Sequence, residues 1–291
     1  MIVYNPPISV IIPLYNKAAA VESSIRSVLN QSFRDFELIV VDDGSTDGSG
    51  EIVKQIQDDR IKFFRQENAG PSKARNTGVL HAKGNWVLFL DADDELLSDA
   101  LSNFEKVAKD HKEVNFISSS YYIGERESRK LCSSFKEGYV RHPYMWQFLG
   151  FFDSRMGATL YKKTLVEECL FNERLRRFED FEMLLRMYKI SKIFSIVQPT
   201  MVFNNDCASA SKARKDISED FLGHLVFQGK SFWEKMCLYR LYIENRDLYS
   251  DDCRKLYPWL YKRYDYFFLF KIADIVKRTH LLKNVIIRLC A

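Results

Sequence analysis

The chain has 291 residues, 46% of them hydrophobic and 28% charged, an ordinary globular composition long enough for one large domain or a domain with an appendage. No apolar stretch approaches the roughly 20 residues of a membrane span, and the start, MIVYNPPISVIIP, lacks the basic n-region of a signal peptide, so a cytoplasmic protein is expected. The net charge of +4 is uneven: from Arg254 onward nine Lys/Arg face two acids, which leaves the first 253 residues at −3.

In chain order, ISVIIP (8–13) predicts a short β-branched strand and residues 18–30 a helix with Val21, Ile25, Val28 and Leu29 on one side. ELIVV (37–41) predicts a second strand, which leads into DDGSTDGSGE. A helix at about 50–57, a strand at 61–65, a helix at 71–82 with Pro71 near its start, a strand from Trp86 to Leu90 and a helix near 98–109 follow. Such alternation argues for an α/β fold, a mostly parallel Rossmann-like sheet flanked by helices on both faces. Sheets of this kind bind ligands at the carboxyl ends of their strands. DDGSTD and DADD both come directly after predicted strands, so they are expected on one rim.

From 126 to 200 the pattern loosens. HPYMWQFLGFF (142–152) is aromatic-rich, 157–161 predicts a strand, 163–169 a helix, EDFEMLLRMYKI (179–190) an amphipathic helix, and 194–203 an extended segment. Beyond about 215 the chain reads as helical and rich in Tyr, Phe and Arg. The division expected is therefore 1–214, a ligand-binding catalytic domain, and 215–291, a helical, basic C-terminal extension. Six scattered cysteines with no CxxC pair fit reduced thiols.

Three clusters carry chemistry. Asp91, Asp93 and Asp94 in WVLFLDADDEL end a predicted strand. Carboxylates spaced i, i+2 there can approach a hard cation such as Mg²⁺; the plainer reading is a solvated turn that caps the next helix. DDGSTDGS (42–49) is either a tight turn with a helix N-cap or a source of one Asp that accepts from a ligand N–H, for which uracil N3–H is a natural partner. NAGPSKARNTG (68–78) puts Lys73 and Arg75 at a predicted helix start, where backbone N–H groups favour anions. Either these are ordinary surface cations, or they share a diphosphate with a metal.

In this order the clusters resemble the nucleotide-sugar domain of glycosyltransferase family 2, the GT-A fold. The likeness begins at SVIIPLYNK (9–17) and runs through VVDDGSTDGS, NAGPSKARNTG and FLDADDEL to RRFEDFEMLLRM (176–187), about two-thirds of the chain. The resemblance implies that Tyr15 and the Pro13 backbone contact the nucleobase and that Asp43 accepts from it, with Asp42 nearby. It implies that Arg75 faces the sugar or diphosphate, that Asp91 touches the ribose or the metal region, and that Asp93 ligates Mg²⁺ or Mn²⁺. Asp180, beside Glu179, looks like the family's general base, and Phe178 stands where many members have Gly. Ser209 and Ser211 loosely match a late serine-containing motif.

The implied reaction is inverting transfer of a sugar from a nucleotide-diphosphate donor, UDP-linked by expectation, to a glycan or lipid-linked acceptor in cell-surface polysaccharide or lipopolysaccharide synthesis. A divalent cation takes up charge on the leaving diphosphate, and a carboxylate takes the proton from the attacking hydroxyl. The variable 120–160 segment is where sugar specificity is expected, its aromatic run offering rings able to stack on a glycan. A nucleotidyltransferase would need a glycine-rich loop after the first strand, where PLYNKAAA stands; a non-catalytic sugar-nucleotide or glycan-binding module would tolerate loss of Asp180. No GxGxxG follows the first strand, against a dehydrogenase. The basic, aromatic segment 256–291 is either a helical cap or a surface that lies on an anionic membrane, giving a peripheral position on the inner face. No base-stacking or groove-reading motif points to nucleic acid.

Overall fold

A computed structural model describes residues 7–124, 129–132, 135–204 and 216–278. Ser209, Ser211 and the basic stretch after Arg278 lie outside these residues.

The N-terminal half is built as its periodicity dictates. Strands β1 (Ile8–Leu14), β2 (Phe36–Asp42), β3 (Ile61–Arg65) and β4 (Trp86–Phe89) pair in parallel in the order β3-β2-β1-β4. Helices α1 (Val21–Leu29), α2 (Ser49–Gln55), α3 (Pro71–His81) and α4 (Ala100–Asp110) connect and flank them. In β1, Val10, Ile12 and Leu14 face one apolar cluster with Val21, Ile25 and Leu101, whereas Ile11 faces another with Ala74 and Val79. A strand's alternating side chains thus pack helices on both faces. Gly78 lets α3 lie directly on β1, because a Cβ there would come within 2.3 Å of Ile11 Cγ2.

Beyond β4 the sheet is mixed. β9 (Thr159–Lys162) runs antiparallel to β4 and to β6 (Phe116–Ile123), and β6 is parallel to β10 (Ile193–Phe203). Short antiparallel strands β5 (Glu95–Leu96), β7 (Lys130–Cys132) and β8 (Gly138–Val140) pair with β10, β6 and β10 in turn. The expected α/β sheet flanked by helices is therefore present, its parallel character concentrated in the first four strands. β6 was not anticipated because FISSSYYI reads as polar. Ser118, Ser119 and Ser120 are nevertheless buried, and the Ser119 hydroxyl bonds the Ala158 carbonyl at 3.0 Å and Thr200 Oγ1 at 2.6 Å. Hydrogen-bonded hydroxyls can occupy a buried strand at small cost.

Helices α5 (Pro143–Leu149), α6 (Lys163–Glu168) and α7 (Glu179–Met187) cover the α3 face. Trp146, Phe151 and Phe152 of the aromatic run are core residues outside the cavity, which corrects the expectation that they serve as stacking faces for a glycan; Phe148 is buried too but reaches the cavity wall. The C-terminal region forms α8 (Phe232–Asn245), α9 (Ser250–Leu256) and α10 (Tyr264–Arg278), joined by short 3-10 turns. Its buried residues, among them Met236, Tyr242 and Ala273, belong to the same apolar cluster as Ile11, Phe89 and Met183. Cys132, Cys169, Cys237 and Cys253 are unpaired thiols.

Candidate active site

Because β2, β1 and β4 are parallel and in register, their carboxyl ends share one rim: Leu14 is opposite Asp42, and Ile11 opposite Phe89. The two N-terminal motifs are one structural unit there. Asn16 N donates to Ser45 Oγ at 3.0 Å, Lys17 N to Ser49 Oγ at 2.8 Å, and Thr46 N to Asn16 Oδ1 at 2.8 Å. This lacing leaves Tyr15 47% exposed, beside the half-buried Pro13, with an aromatic face toward solvent.

Asp42 and Asp43 are both buried. Asp42 Oδ1 accepts from Ser45 N at 2.9 Å, and its Oδ2 lies 3.5 Å from Arg65 Nη1, so Asp42 holds the turn. Asp43 Oδ1 accepts from Gln66 Nε2 (2.8 Å) and Ala69 N (2.9 Å), and Oδ2 from Gly70 N (2.7 Å). A carboxylate offers about four acceptor positions. Asp43 thus anchors the loop before α3, with roughly one position left on Oδ2.

Arg75, expected at the sugar or diphosphate, is placed as a buried clamp. Its Nη2 donates to Asp91 Oδ1 at 2.8 Å and its Nη1 to Glu179 Oε1 at 2.9 Å, with the guanidinium 5.2 Å over the Phe171 ring. Burial disfavours its charge, but the attraction of Asp91 and Glu179 outweighs that and raises its pKa. Lys73 turns outward to Glu173 at 3.3 Å.

The DADD carboxylates separate by environment. Asp94 is buried, accepts from Asn204 N at 3.0 Å, and is raised well above the usual carboxylate range by burial and by the charges of Asp91 and Asp93. Asp93 Oδ2 accepts from the Lys17 ammonium at 2.5 Å. A cation already sits on the predicted metal ligand, which shows that Asp93 faces a position suited to positive charge. Among the described residues no group of three or more His, Cys, Asp or Glu is gathered to hold a metal ion. Mg²⁺ binds through one or two carboxylates, waters and substrate phosphates, not through an all-protein cage. Asp91 and Asp93 are the residues that would hold it.

Glu179 and Asp180 open α7. Phe178, just before them, takes the left-handed conformation at φ 55°. That is the backbone a Gly adopts without cost, and it turns Asp180 into a cavity while Glu179 meets Arg75. The cavity measures about 380 Å³, and Asp91, Asp94, Asp153, Arg155, Asp180 and Arg240 contribute to its walls; Tyr15, Asp43 and Asp93 lie outside it along the rim. Asp180 Oδ1 accepts from Phe181 N at 2.7 Å. Burial, then the charge of Glu179, raises Asp180 to about 6, against the opposing pull of Arg75. A carboxylate poised near neutrality suits proton abstraction.

Sequence reasoning missed Lys17, Asp153, Arg155 and the α8 wall. Lys17 was inside the PLYNK motif. The Asp153–Ser154–Arg155 triplet interrupts an aromatic run with opposite charges, and that interruption was its signal. Asp153 accepts from the Tyr121 hydroxyl at 2.5 Å, and the Arg155 guanidinium lies 4.1 Å from the Phe203 ring centre. Arg240, Leu241, Glu244 and Asn245 reach the cavity from α8, a contribution no local motif announces.

Residues 9–170 match the family model described as glycosyl transferase family 2. A Campylobacter jejuni protein named GalNAc(5)-diNAcBac-PP-undecaprenol beta-1,3-glucosyltransferase is 34% identical over 233 residues, 76% of this chain and 72% of its own length. The minor teichoic acid biosynthesis protein GgaA of Bacillus subtilis is 36% identical over 185 residues, 59% of this chain and 41% of its own. A Rickettsia felis uncharacterized glycosyltransferase is 35% identical, and the match spans only 30% of its length. Among solved structures, S. aureus TarS 1-349 in complex with UDP-GlcNAc superposes with a TM-score of 0.67 at 22% identity, over 86% of this chain and 75% of that one. The mannosyltransferase PcManGT from Pyrobaculum calidifontis, in complex with GDP-Man and Mn²⁺, gives 0.57 at 20% identity, over 83% and 70%. At these identities the structural likeness speaks for the fold.

Proposed function

The chain belongs to glycosyl transferase family 2 and is a glycosyltransferase, and on that premise we propose that it transfers a sugar with inversion from a UDP-linked donor to a lipid-linked saccharide during cell-surface polysaccharide synthesis. The observation that carries this reading is the single cavity shared by Asp91, at the end of β4, and Asp180, at the start of α7. One carboxylate adjoins the position of the departing diphosphate and the other adjoins the position of the incoming hydroxyl.

In this reading the exposed Tyr15 ring and the Pro13 backbone hold the nucleobase, and Asp43 accepts its N–H through the position the loop leaves open. Residues 1–214 bind the donor and 215–291 complete the acceptor side, in keeping with the α8 residues in the cavity wall. Arg75 acts by positioning: it fixes Asp91 and Glu179 relative to each other. An acceptor hydroxyl attacks the anomeric carbon as the bond to the diphosphate oxygen breaks. The hydroxyl proton passes to Asp180, and the bonding pair leaves with the nucleoside diphosphate. Asp93 with Asp91 would hold Mg²⁺ or Mn²⁺, which would supply Lewis acidity toward that leaving group. The lipid-linked acceptor places the enzyme peripherally on the inner face of the cell membrane. Support for the donor and acceptor classes comes from the UDP-GlcNAc bound to TarS and from the undecaprenol-linked substrate in the Campylobacter relative's name.

The test is thermal unfolding with UDP-, GDP- and dTDP-sugars, with and without Mn²⁺, since a ligand specific for the folded state raises its stability. A UDP-sugar is expected to raise the midpoint most, and more with Mn²⁺. If no sugar nucleotide moves it, the proposal is wrong.

A further inference from the structure

Helix α10 is apolar on both sides. Toward the protein it buries Tyr266, Ala273 and Val276 against α5 and α8. On the opposite side Tyr264, Phe267, Phe268 and Ile272 follow at the three- and four-residue spacing of one helical stripe. They face solvent, Tyr264 at 77% and Phe268 at 65% exposure. The exposed Asp265 and Lys271 interrupt this side, but an outward aromatic stripe marks an interaction surface.

Charge says which one. Lys271 is exposed beside the stripe, its ammonium 5.3 Å from the Phe267 ring centre, and Arg254, Lys255 and Lys262 are exposed just upstream near the half-exposed Trp259. From Arg254 to the end cations outnumber acids nine to two. Asp265, exposed at the head of α10, is already paired with Arg263 at 2.6 Å, so a second copy docked on this face would bring mostly like charges together. The segment 279–291 adds Lys283 and Arg288 and no acid, so it does not complement the belt either. An aromatic stripe bordered by cations is the chemistry of a helix lying in the headgroup layer of an anionic bilayer. Among the described residues no helix is long and apolar enough to cross a membrane.

We propose that the outer face of α10 is the membrane-docking surface of this protein and that it sets the cavity beside the bilayer. Tyr266 of α10 packs on Tyr239 of α8 with ring centres 5.4 Å apart, and Arg240 of α8 lies 5.8 Å from the Phe270 ring centre while also lining the cavity. Helix α10 and the α8 residues it packs on therefore lie between the docking face and the reaction cavity, on the side where a lipid-linked saccharide would approach. The surface rests on the glycosyltransferase reading only for the identity of what it approaches.

The experiment is vesicle flotation of the full chain, with phosphatidylcholine alone and with added phosphatidylglycerol, alongside the F268S/I272S and K271E variants. Wild type is expected to float with the anionic vesicles, less so at high salt, and poorly with phosphatidylcholine. F268S/I272S should weaken binding about tenfold or more, and K271E more modestly, with unfolding midpoints and the UDP-sugar thermal response unchanged. Failure of wild type to bind anionic vesicles, or undiminished binding by F268S/I272S, overturns the proposal. So does a wild-type dimer that the double variant converts to monomer without vesicle binding, or a cut after Arg278 that alone abolishes binding. A missing UDP-sugar response in wild type would instead count against the enzymatic reading and leave the flotation result standing.

Discussion

At the scale of single residues, the site works through neighbours that shift proton affinity and hold charge. Asp180 is raised to about 6, so it loses its proton as pH rises through that value. A base acts when ionised, so kcat/KM should climb with pH along a limb near 6 and level off above it. Glu179, Arg75 and Asp91 all act on this titration, so the limb belongs to the group. Asp180→Asn is expected to keep UDP binding by calorimetry, to lower kcat by about 10²-fold or more, and to abolish the limb. A full-rate Asn variant would leave Asp180 without its proposed role. Lys17 poses a different question, because its ammonium occupies Asp93. Lys17→Met should let Mn²⁺ bind measurably without nucleotide, seen by electron paramagnetic resonance, where wild type binds it weakly. Equal affinities would show that the pair does not compete with metal.

At the scale of elements, the α7 entrance combines strain with a buried ion network. Phe178 at φ 55° costs on the order of 1 kcal/mol or more for a residue with a Cβ. Phe178→Gly and Phe178→Ala both remove the ring, but only Ala keeps the strained Cβ. The Gly variant should therefore be more stable than the Ala variant by about 1 kcal/mol, read from denaturant midpoints; the reverse order would contradict the strain. Arg75 ties α3, the end of β4 and α7 together through Asp91 and Glu179. Arg75→Met leaves Glu179 buried without its cation. Breaking a buried pair costs about 3–5 kcal/mol, and a loss near the lower figure is expected because Asp91 is partly exposed to water. Urea titration measures it. These elements were largely legible in the sequence: helix 71–82 appears as Pro71–His81, and the Trp86–Leu90 strand as Trp86–Phe89. β6 was not, because its serines read as polar, and the partner of the central one, Ser119, is Thr200, 81 residues away.

At the scale of the whole molecule, one apolar cluster runs from Ile11 under the sheet to Val276 in α10. The segment beyond 215 is therefore expected to unfold with the sheet domain. Circular dichroism and intrinsic fluorescence should report a single coincident transition. A chain cut after residue 214 should bind hydrophobic dye and lose cooperative unfolding, since Met236, Tyr242 and Cys237 no longer cover their side of the core. Two separated transitions, with the N-terminal one unchanged in the cut chain, would establish independent domains. The same continuity gives α8 two duties, as core cover and as cavity wall.

The sequence by itself determined the candidate rim: short continuous apolar runs between helical segments pointed to parallel strands, and the motifs after them had to share their carboxyl ends. Local periodicity and turn chemistry act over a few residues, so both are visible in one dimension. The tertiary structure alone decided that Arg75 grips Glu179 from 104 positions away, that Asp180 is pushed toward neutrality, and that α8 closes the cavity. Burial and electrostatic fields sum over whatever lies near in space, and most of those neighbours are remote along the chain.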